Sequence, residues 1–288
     1  MAGRDLVGWW CRACPYDGSE QAGLVHVRGD GCDELAGARC GDELLVAPLA
    51  AARAGVRRAP FLPTQLTSLG LWLDAAQVTG AADGAAIPTW QDRSGNGRDA
   101  TQGTVAKQPI YRSTGALVTP SGRPVLQFDG VSSNYLSTCP QVQDLTFFAV
   151  AYCSSTTNYK SFIGSPLDGG IEIRIDQTTN AVFVLKQGVT AGSAASSVAY
   201  TIGAHQQATV TSATGGTSAY FVNGATAGTS SGLGAFVATT VNIGSGGSAG
   251  GAEFFNGGMA ELIRYDRVLS AVERQQVEAY LKAKHGTP

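Results

Sequence analysis

The clearest signal along the chain is a two-residue alternation of apolar and polar positions, broken into short runs. In IEIRID, Ile171, Ile173 and Ile175 fall on one side of an extended chain, and Glu172, Arg174 and Asp176 on the other. LGLWLD (69–74), PVLQFDG (124–130), LTFFAVAYC (145–153), AVFVLK (181–186), QATVTS (207–212) and SAYFVNG (218–224) are likewise rich in β-branched and aromatic residues. Gly, Ser, Asn or Asp bound most of them. Many short strands with glycine-rich turns predict a mainly β fold, two antiparallel sheets packed as a sandwich. No long helical period interrupts them, which argues against a parallel α/β sheet. Gly130 suits a turn after Phe128, a natural core residue, and Asn223-Gly224 is a two-residue hairpin signal. Trp72 and Trp90 are expected to anchor the core, with sugar stacking as the alternative for either.

The period changes near the end. Ser270-x-x-Glu273 is a capping-box pattern. Val277, Tyr280, Leu281 and Lys284 then recur at helical spacing, and Gly286 suits the position that follows a helix. One closing helix is predicted, packed by Val277, Tyr280 and Leu281.

Composition sets the scale. The 288 residues, 43% of them hydrophobic, suffice for one large β domain with a small appendage. A net charge of −2, from 20 Lys+Arg and 22 Asp+Glu, leaves no basic footprint for nucleic acid or a membrane surface. No apolar run approaches the roughly 18 residues that a membrane span needs. The opening MAGRDLVGWWCRAC lacks a basic region followed by an apolar stretch, so synthesis in the cytoplasm is expected. Residues 177–252 hold a single charged residue, Lys186. Their outer faces are either simply uncharged or buried against another subunit.

Residues 1–62 differ from the rest. They carry four of the six cysteines, Trp9 and Trp10, and seven Arg without a Lys. Pro60 and Pro63 bracket the change, which places a Cys-rich attachment segment at 1–62 and the β domain at 63–288. Cys11-x2-Cys14 with Cys32 and Cys40 offers four thiolates for a zinc site, although the second pair is spaced wider than in zinc ribbons and His26 is an alternative ligand. Disulfides and unpaired thiols are the other readings of these four. Cys139 and Cys153 are expected as buried free thiols.

In order along the chain, LGLWLDAAQ (69–77), WQDRSGNGRDATQ (90–102), QPIY (108–111), PVLQFDGVSSNYL (124–136), AYFVNG (219–224), FFNGGMAELIRYDRVLSAVER (254–274) and VEAYLKAKHG (277–286) resemble the laminin-G-like, concanavalin A-like jelly-roll superfamily over about residues 64–286. The resemblance is closest to its bacterial and bacteriophage branch. It implies two antiparallel sheets that bind carbohydrate, protein or calcium. Calcium candidates are Asp92, Asn96 and Asp99 in DRSGNGRD, whose hard oxygens suit that ion, the alternative being an Asx-type turn. Glycan candidates are Tyr111, Tyr135, Tyr159 and Phe254, expected as exposed aromatics at strand ends.

Catalysis is not expected. Glycoside hydrolysis needs two carboxylates flanking the scissile bond, and Glu172 with Asp176 has the wrong spacing for the jelly-roll glucanase motif. No Ser-nucleophile elbow or His-Glu-x-x-His occurs. His26, His205 and His285 stand apart from any recognisable signature. The expected role is a bacteriophage virion component, a capsid decoration, fibre or tail protein. It would join other virion subunits through residues 1–62 and display a module for cell-surface glycan. A free or surface-borne carbohydrate-binding module of a bacterial protein and a glycan hydrolase are the alternatives.

Overall fold

Alternation decides which way each strand faces, and the faces decide the layers. The computed structural model describes residues 59–288, apart from 143, 156, 158, 166–169, 177, 187–193, 231–239 and 247–252. The chain divides between Ala59 and Pro60 into two units, and the second, Pro60–Pro288, is the subject here. Cys11, Cys14, Cys32 and Cys40, with the whole attachment segment and its zinc reading, lie outside the described residues.

The strands follow in chain order. The first six are β1 (Leu69–Asp74), β2 (Thr89–Trp90), β3 (Ala100–Thr101), β4 (Ile110–Arg112), β5 (Val125–Asp129) and β6 (Tyr135–Ser137). Next come β7 (Leu145–Cys153), β8 (Lys160–Gly164), β9 (Ile171–Ile175), β10 (Ala181–Lys186), β11 (Ala194–Ala199) and β12 (His205–Ser212). The last are β13 (Ser218–Val222), β14 (Ala225–Ser230), β15 (Val241–Ile243), β16 (Ser245–Gly246), β17 (Glu253–Phe254) and β18 (Asn256–Tyr265), followed by the helix α1 (Ala271–His285). One sheet runs β14-β13-β12-β7-β18-β5-β4, with β1 also paired to β18. The other runs β11-β10-β9-β8-β15-β6-β3-β2, and β16 pairs with β17 apart from both.

The two sheets form an antiparallel sandwich whose core lies between them. Phe128, Phe147 and Leu262 from the first sheet meet Tyr135, Phe162, Ile171, Ile173, Ile175 and Val241 from the second. Phe128 packs edge-on against Tyr135 and Phe255, with ring centroids 6.1 and 6.2 Å apart. The other face of the first sheet is apolar too: Phe148, Val150, Ile263 and Tyr265 are covered by Val277 and Leu281 of α1. Burying each of those two helix side chains contributes roughly 1.5–3 kcal/mol. The central strands β7 and β18 of the first sheet are therefore covered on both sides.

Local chemistry sets the turns. Asn223 and Gly224 take positive φ (52° and 79°) and join β13 to β14 as a two-residue hairpin. Asp129 Oδ1 accepts the backbone N–H groups of Val131, Ser132 and Ser133, which folds the chain back after Gly130 (φ 74°). These bonds outweigh its partial burial and hold the carboxyl down at about 2. At α1 both halves of the capping box form: Ser270 Oγ accepts from Glu273 N–H, and Glu273 Oε2 accepts from Ser270 N–H at 2.9 Å. Gly286 ends the helix in the left-handed region, φ 70°. Ser270→Ala is expected to lower stability by about 1 kcal/mol. An unchanged urea midpoint would show that the cap contributes nothing beyond the packed face.

The helix is also fastened by a buried polar network. Glu261 of β18 is fully buried and accepts four hydrogen bonds, from Trp72 Nε1 (2.6 Å), Tyr280 Oη (2.9 Å), Lys284 Nζ (2.7 Å) and His285 Nε2 (2.7 Å). Lys284 also reaches Asp74 Oδ2 of β1 at 2.6 Å. Trp72 is thus a half-buried strut, while Trp90 is a core anchor.

Candidate functional site

With the central strands of the first sheet covered by α1, the outer face of the second sheet is where side chains of the fold meet solvent in a row. Register alone places them. Thr89 pairs with Thr101, Thr101 with Leu136, Leu136 with Asn242, Asn242 with Gly164, and Gly164 with Glu172. Their strand neighbours Trp90, Ala100, Tyr135, Val241, Ile243, Ile171 and Ile173 point into the core. The row crosses β2-β3-β6-β15-β8-β9, five steps of about 4.8 Å, or about 24 Å end to end. Thr101 and Leu136 are exposed, Leu136 by 46%, and Thr89 and Asn242 are half-buried. The open part of the row is uncharged.

At its β9 end the row meets a charged cluster. Alternation turns Glu172 and Arg174 outward from the isoleucines, but Glu172 is fully buried. The short β16–β17 pair covers it. Gly246 lies so close that a Cβ there would stand 2.1 Å from Glu172 Oε1 and 2.4 Å from Ser161 Oγ. Ser161 Oγ donates to Glu172 Oε1. One guanidinium nitrogen, Arg174 Nη1, bonds Glu253 Oε1 at 2.6 Å and lies 3.4 Å from Glu172 Oε2. The Arg174 guanidinium also stacks on the Tyr159 ring, 3.6 Å from its centroid. Burial, and then the adjoining Glu253, push the Glu172 carboxyl well above the ordinary carboxylate range. Both carboxyls lie against the same Arg174 nitrogen, and Glu172 is closed off beneath β16–β17.

Of the four aromatic candidates, the structure brings two to this end. Tyr159 carries Arg174, and Phe254 adjoins Glu253; both are half-buried. Tyr111 and Tyr135 are not the exposed aromatics that their places at strand ends led us to expect. Tyr135 is fully buried, because the alternation in Tyr135-Leu136-Ser137 sends it inward, and its hydroxyl donates to the Ile87 carbonyl at 2.8 Å. Tyr111, 8% exposed, belongs to the same core.

The Asp92–Asp99 loop is a closed turn. Asp92 accepts from the N–H groups of Trp72, Ser94 and Arg98 and from Ser94 Oγ, and its own N–H donates to Asp99 Oδ1. Asn96 Nδ2 reaches the Leu69 carbonyl at 2.8 Å, while Arg98 pairs with Asp266 at 3.1 Å. Among the described residues, no group of three or more His, Cys, Asp or Glu side chains is placed to hold a metal ion. Asp176, the other half of the acid pair read from sequence, builds a turn by accepting from Thr178 and Thr179 N–H. Cys139 and Cys153 are buried free thiols. Arg174 and Glu172 were readable as one outward face; nothing in the sequence tied Glu253 to them.

The sandwich, its closing helix and the sequence agree on a class. Residues 127–273 match the Laminin_G_3 family, the concanavalin A-like lectin/glucanases superfamily, and the chain belongs to that superfamily. No curated protein sequence matches it. Among solved structures it is similar to Trypanosoma rangeli sialidase, at TM-score 0.54 and 15% identity over 79% of this chain and 36% of that one. It therefore spans about a third of the sialidase's length. Domain 4 of an extracellular arabinanase from Geobacillus stearothermophilus, in complex with arabinotriose, gives TM-score 0.53 and 13% identity over 74% of this chain and 98% of that one. The botulinum neurotoxin type G receptor binding domain gives TM-score 0.51 and 15% identity over 74% and 51%. These likenesses are of fold. No helix among the described residues is long and apolar enough to cross a membrane.

Proposed function

We propose that the chain is a non-catalytic glycan-binding module, with the outer face of its second sheet as the binding surface. The observation that carries this reading is the uncharged cross-strand row from Thr89 to Asn242, which runs toward the Tyr159–Arg174 stack. Hydroxyl and amide side chains meet sugar hydroxyls, and an exposed aliphatic or aromatic surface meets the sugar's apolar face. The sandwich shared with an arabinotriose-bound domain supports the same class of ligand. The full burial of Glu172 beneath β16–β17, which closes its carboxyl to a substrate, supports binding over hydrolysis.

The test is a glycan array followed by calorimetry on the best ligand. Leu136→Glu and Tyr159→Ala are each expected to weaken binding about tenfold, equivalent to about 1.4 kcal/mol. An array with no signal above background would remove the reading. The resemblance to the bacteriophage and bacterial branch extends the proposal to a module displayed on a virion and attached through residues 1–62. A free bacterial carbohydrate-binding protein is the alternative. Copurification with particles, lost on deleting residues 1–62, distinguishes the two.

A further inference from the structure

Lys284, near the end of α1, meets a carboxyl from each of two neighbouring strands. Asp74 of β1 and Glu261 of β18 are directly paired in the sheet register, so both reach toward the helix. Lys284 Nζ donates to Asp74 Oδ2 at 2.6 Å, to Glu261 Oε2 at 2.7 Å and to Tyr280 Oη at 2.9 Å. Both carboxyls are buried, and the Lys284 side chain is 14% exposed. Trp72 and Tyr280 flank the group; they pack on the apolar cluster under α1 and each donates to Glu261 Oε1. The two carboxyls are pushed opposite ways. Burial first, and then Glu261, raise Asp74 toward its neutral acid. At Glu261 burial is outweighed by the His285 hydrogen bond and the Lys284 charge, which hold it ionised. Environments that drive two titratable groups apart in this way assign an acid and a base.

An amine, a carboxyl and a base in mutual contact are the reactants of an amide condensation. A nitrogen 2.6 Å from Asp74 Oδ2 lies at most one C–O bond, about 1.2 Å, further from the carboxyl carbon. That approaches the roughly 3–3.5 Å of atoms positioned to react. Glu261 Oε2 takes one proton from the Lys284 ammonium, and the freed nitrogen pair forms a bond to Asp74 Cγ. The carbonyl pair moves onto Oδ1, where the Ala76 N–H, 2.9 Å away, stabilises the oxyanion. Glu261 passes its proton to the Oδ2 hydroxyl, which departs as water with the C–O electron pair. It then takes the second proton from nitrogen and returns it to solvent, in place of the one that Asp74 took up as an acid. One ammonium and one carboxylate become one amide and one water, with no oxidant or other reactant.

We infer that the chain forms an intramolecular isopeptide bond between Lys284 and Asp74, with Glu261 as its catalytic acid–base. The inference goes beyond glycan binding and stands without it. The bond joins β1 to α1 across 210 positions of sequence. Force applied at Pro60 and Pro288 then passes through it and leaves the sandwich unloaded. Until it forms, the ion pairs hold the same residues together. The experiment is mass spectrometry of the purified full chain, intact and after proteolysis. The expected result is a mass one water below that of the sequence, with a branched peptide that contains both Asp74 and Lys284. Lys284→Arg and Glu261→Gln are expected to keep their full masses. If Glu261→Gln does not fold, Lys284→Arg carries the comparison, since a guanidinium keeps the charge without a free amine. A parent chain at full mass after days of warming near neutral pH overturns the inference. So does a water lost within one unbranched peptide, or lost equally from Lys284→Arg. A branched peptide that forms as fast in Glu261→Gln overturns the part assigned to Glu261.

Discussion

Glu261→Gln is expected to destabilise the domain by about 3–5 kcal/mol, the range found when one partner of a buried ion pair is removed. The carboxylate is fully buried and receives donors from Trp72, Tyr280, Lys284 and His285, which join β1, β18 and the end of α1. A glutamine can accept on one oxygen only, and its NH2 group would face Lys284 and His285. Lys284 would keep Asp74 as its single carboxylate partner. The expected result is a lower urea midpoint with an unchanged slope, since the same surface is exposed on unfolding. A loss below about 1 kcal/mol would mean that the helix is held by Val277 and Leu281 alone.

Acid should reproduce part of this effect. Burial by itself raises the Glu261 carboxyl, but the His285 hydrogen bond and the Lys284 charge more than offset it, so the group titrates below its ordinary 4.5. With the folded value depressed, the unfolded chain binds the proton first. The network's contribution is complete above about 4.5 and is lost as pH falls through the folded value. Asp74 acts in the opposite sense. Burial first, and then Glu261, raise it above 3.8, so its contribution is complete below that value and is lost as pH rises through the folded value. In Glu261→Gln the acid-side loss should shrink.

What the sequence made legible is what short-range physics decides. The runs at 69–74, 145–153 and 181–186 are strands over the same residues, and IEIRID faces as its alternation requires. The capping box, Gly286 and Asn223-Gly224 each do locally what their side chains or lack of one allow. Two-residue strands such as β2 and β3 escape such reading, because too few residues alternate to show a period. Tyr135 was misplaced for a related reason: being near Ser and Asn suggested a rim, but its position in a three-residue strand turned it into the core. His285 is isolated in sequence yet bonded to a residue 24 positions away. The Arg174–Glu253 pair likewise depends on which strands become neighbours, which no spacing within one segment encodes.

Arg174→Ala is expected to destabilise the domain by about 3 kcal/mol or more and to weaken glycan binding at the same time. The guanidinium serves Glu253 at 2.6 Å and Glu172 at 3.4 Å, and its flat face covers Tyr159. Without it, Glu253 loses its cation while still adjoining the buried Glu172, and the stack on Tyr159 is lost. Arg174→Lys keeps the charge but not the planar stack on Tyr159, so it should fall between the two in stability while binding falls nearly as far as in Arg174→Ala. The pH dependence separates this effect from simple loss of packing. Glu172 is raised, by burial first and then by Glu253, so the stability it supplies is fully present below about 4.5 and is lost as pH rises through its folded value. Removing Arg174 takes away a charge that favours the ionised form, and the decline with pH should become steeper. Glu172→Gln, which cannot ionise, should flatten it. Urea midpoints at about pH 5 and about pH 8 for the three variants and the parent measure this directly. If Arg174→Ala unfolds at the parent's midpoint at both, Arg174 is a surface ion pair of little consequence, and Tyr159 needs no guanidinium to position it.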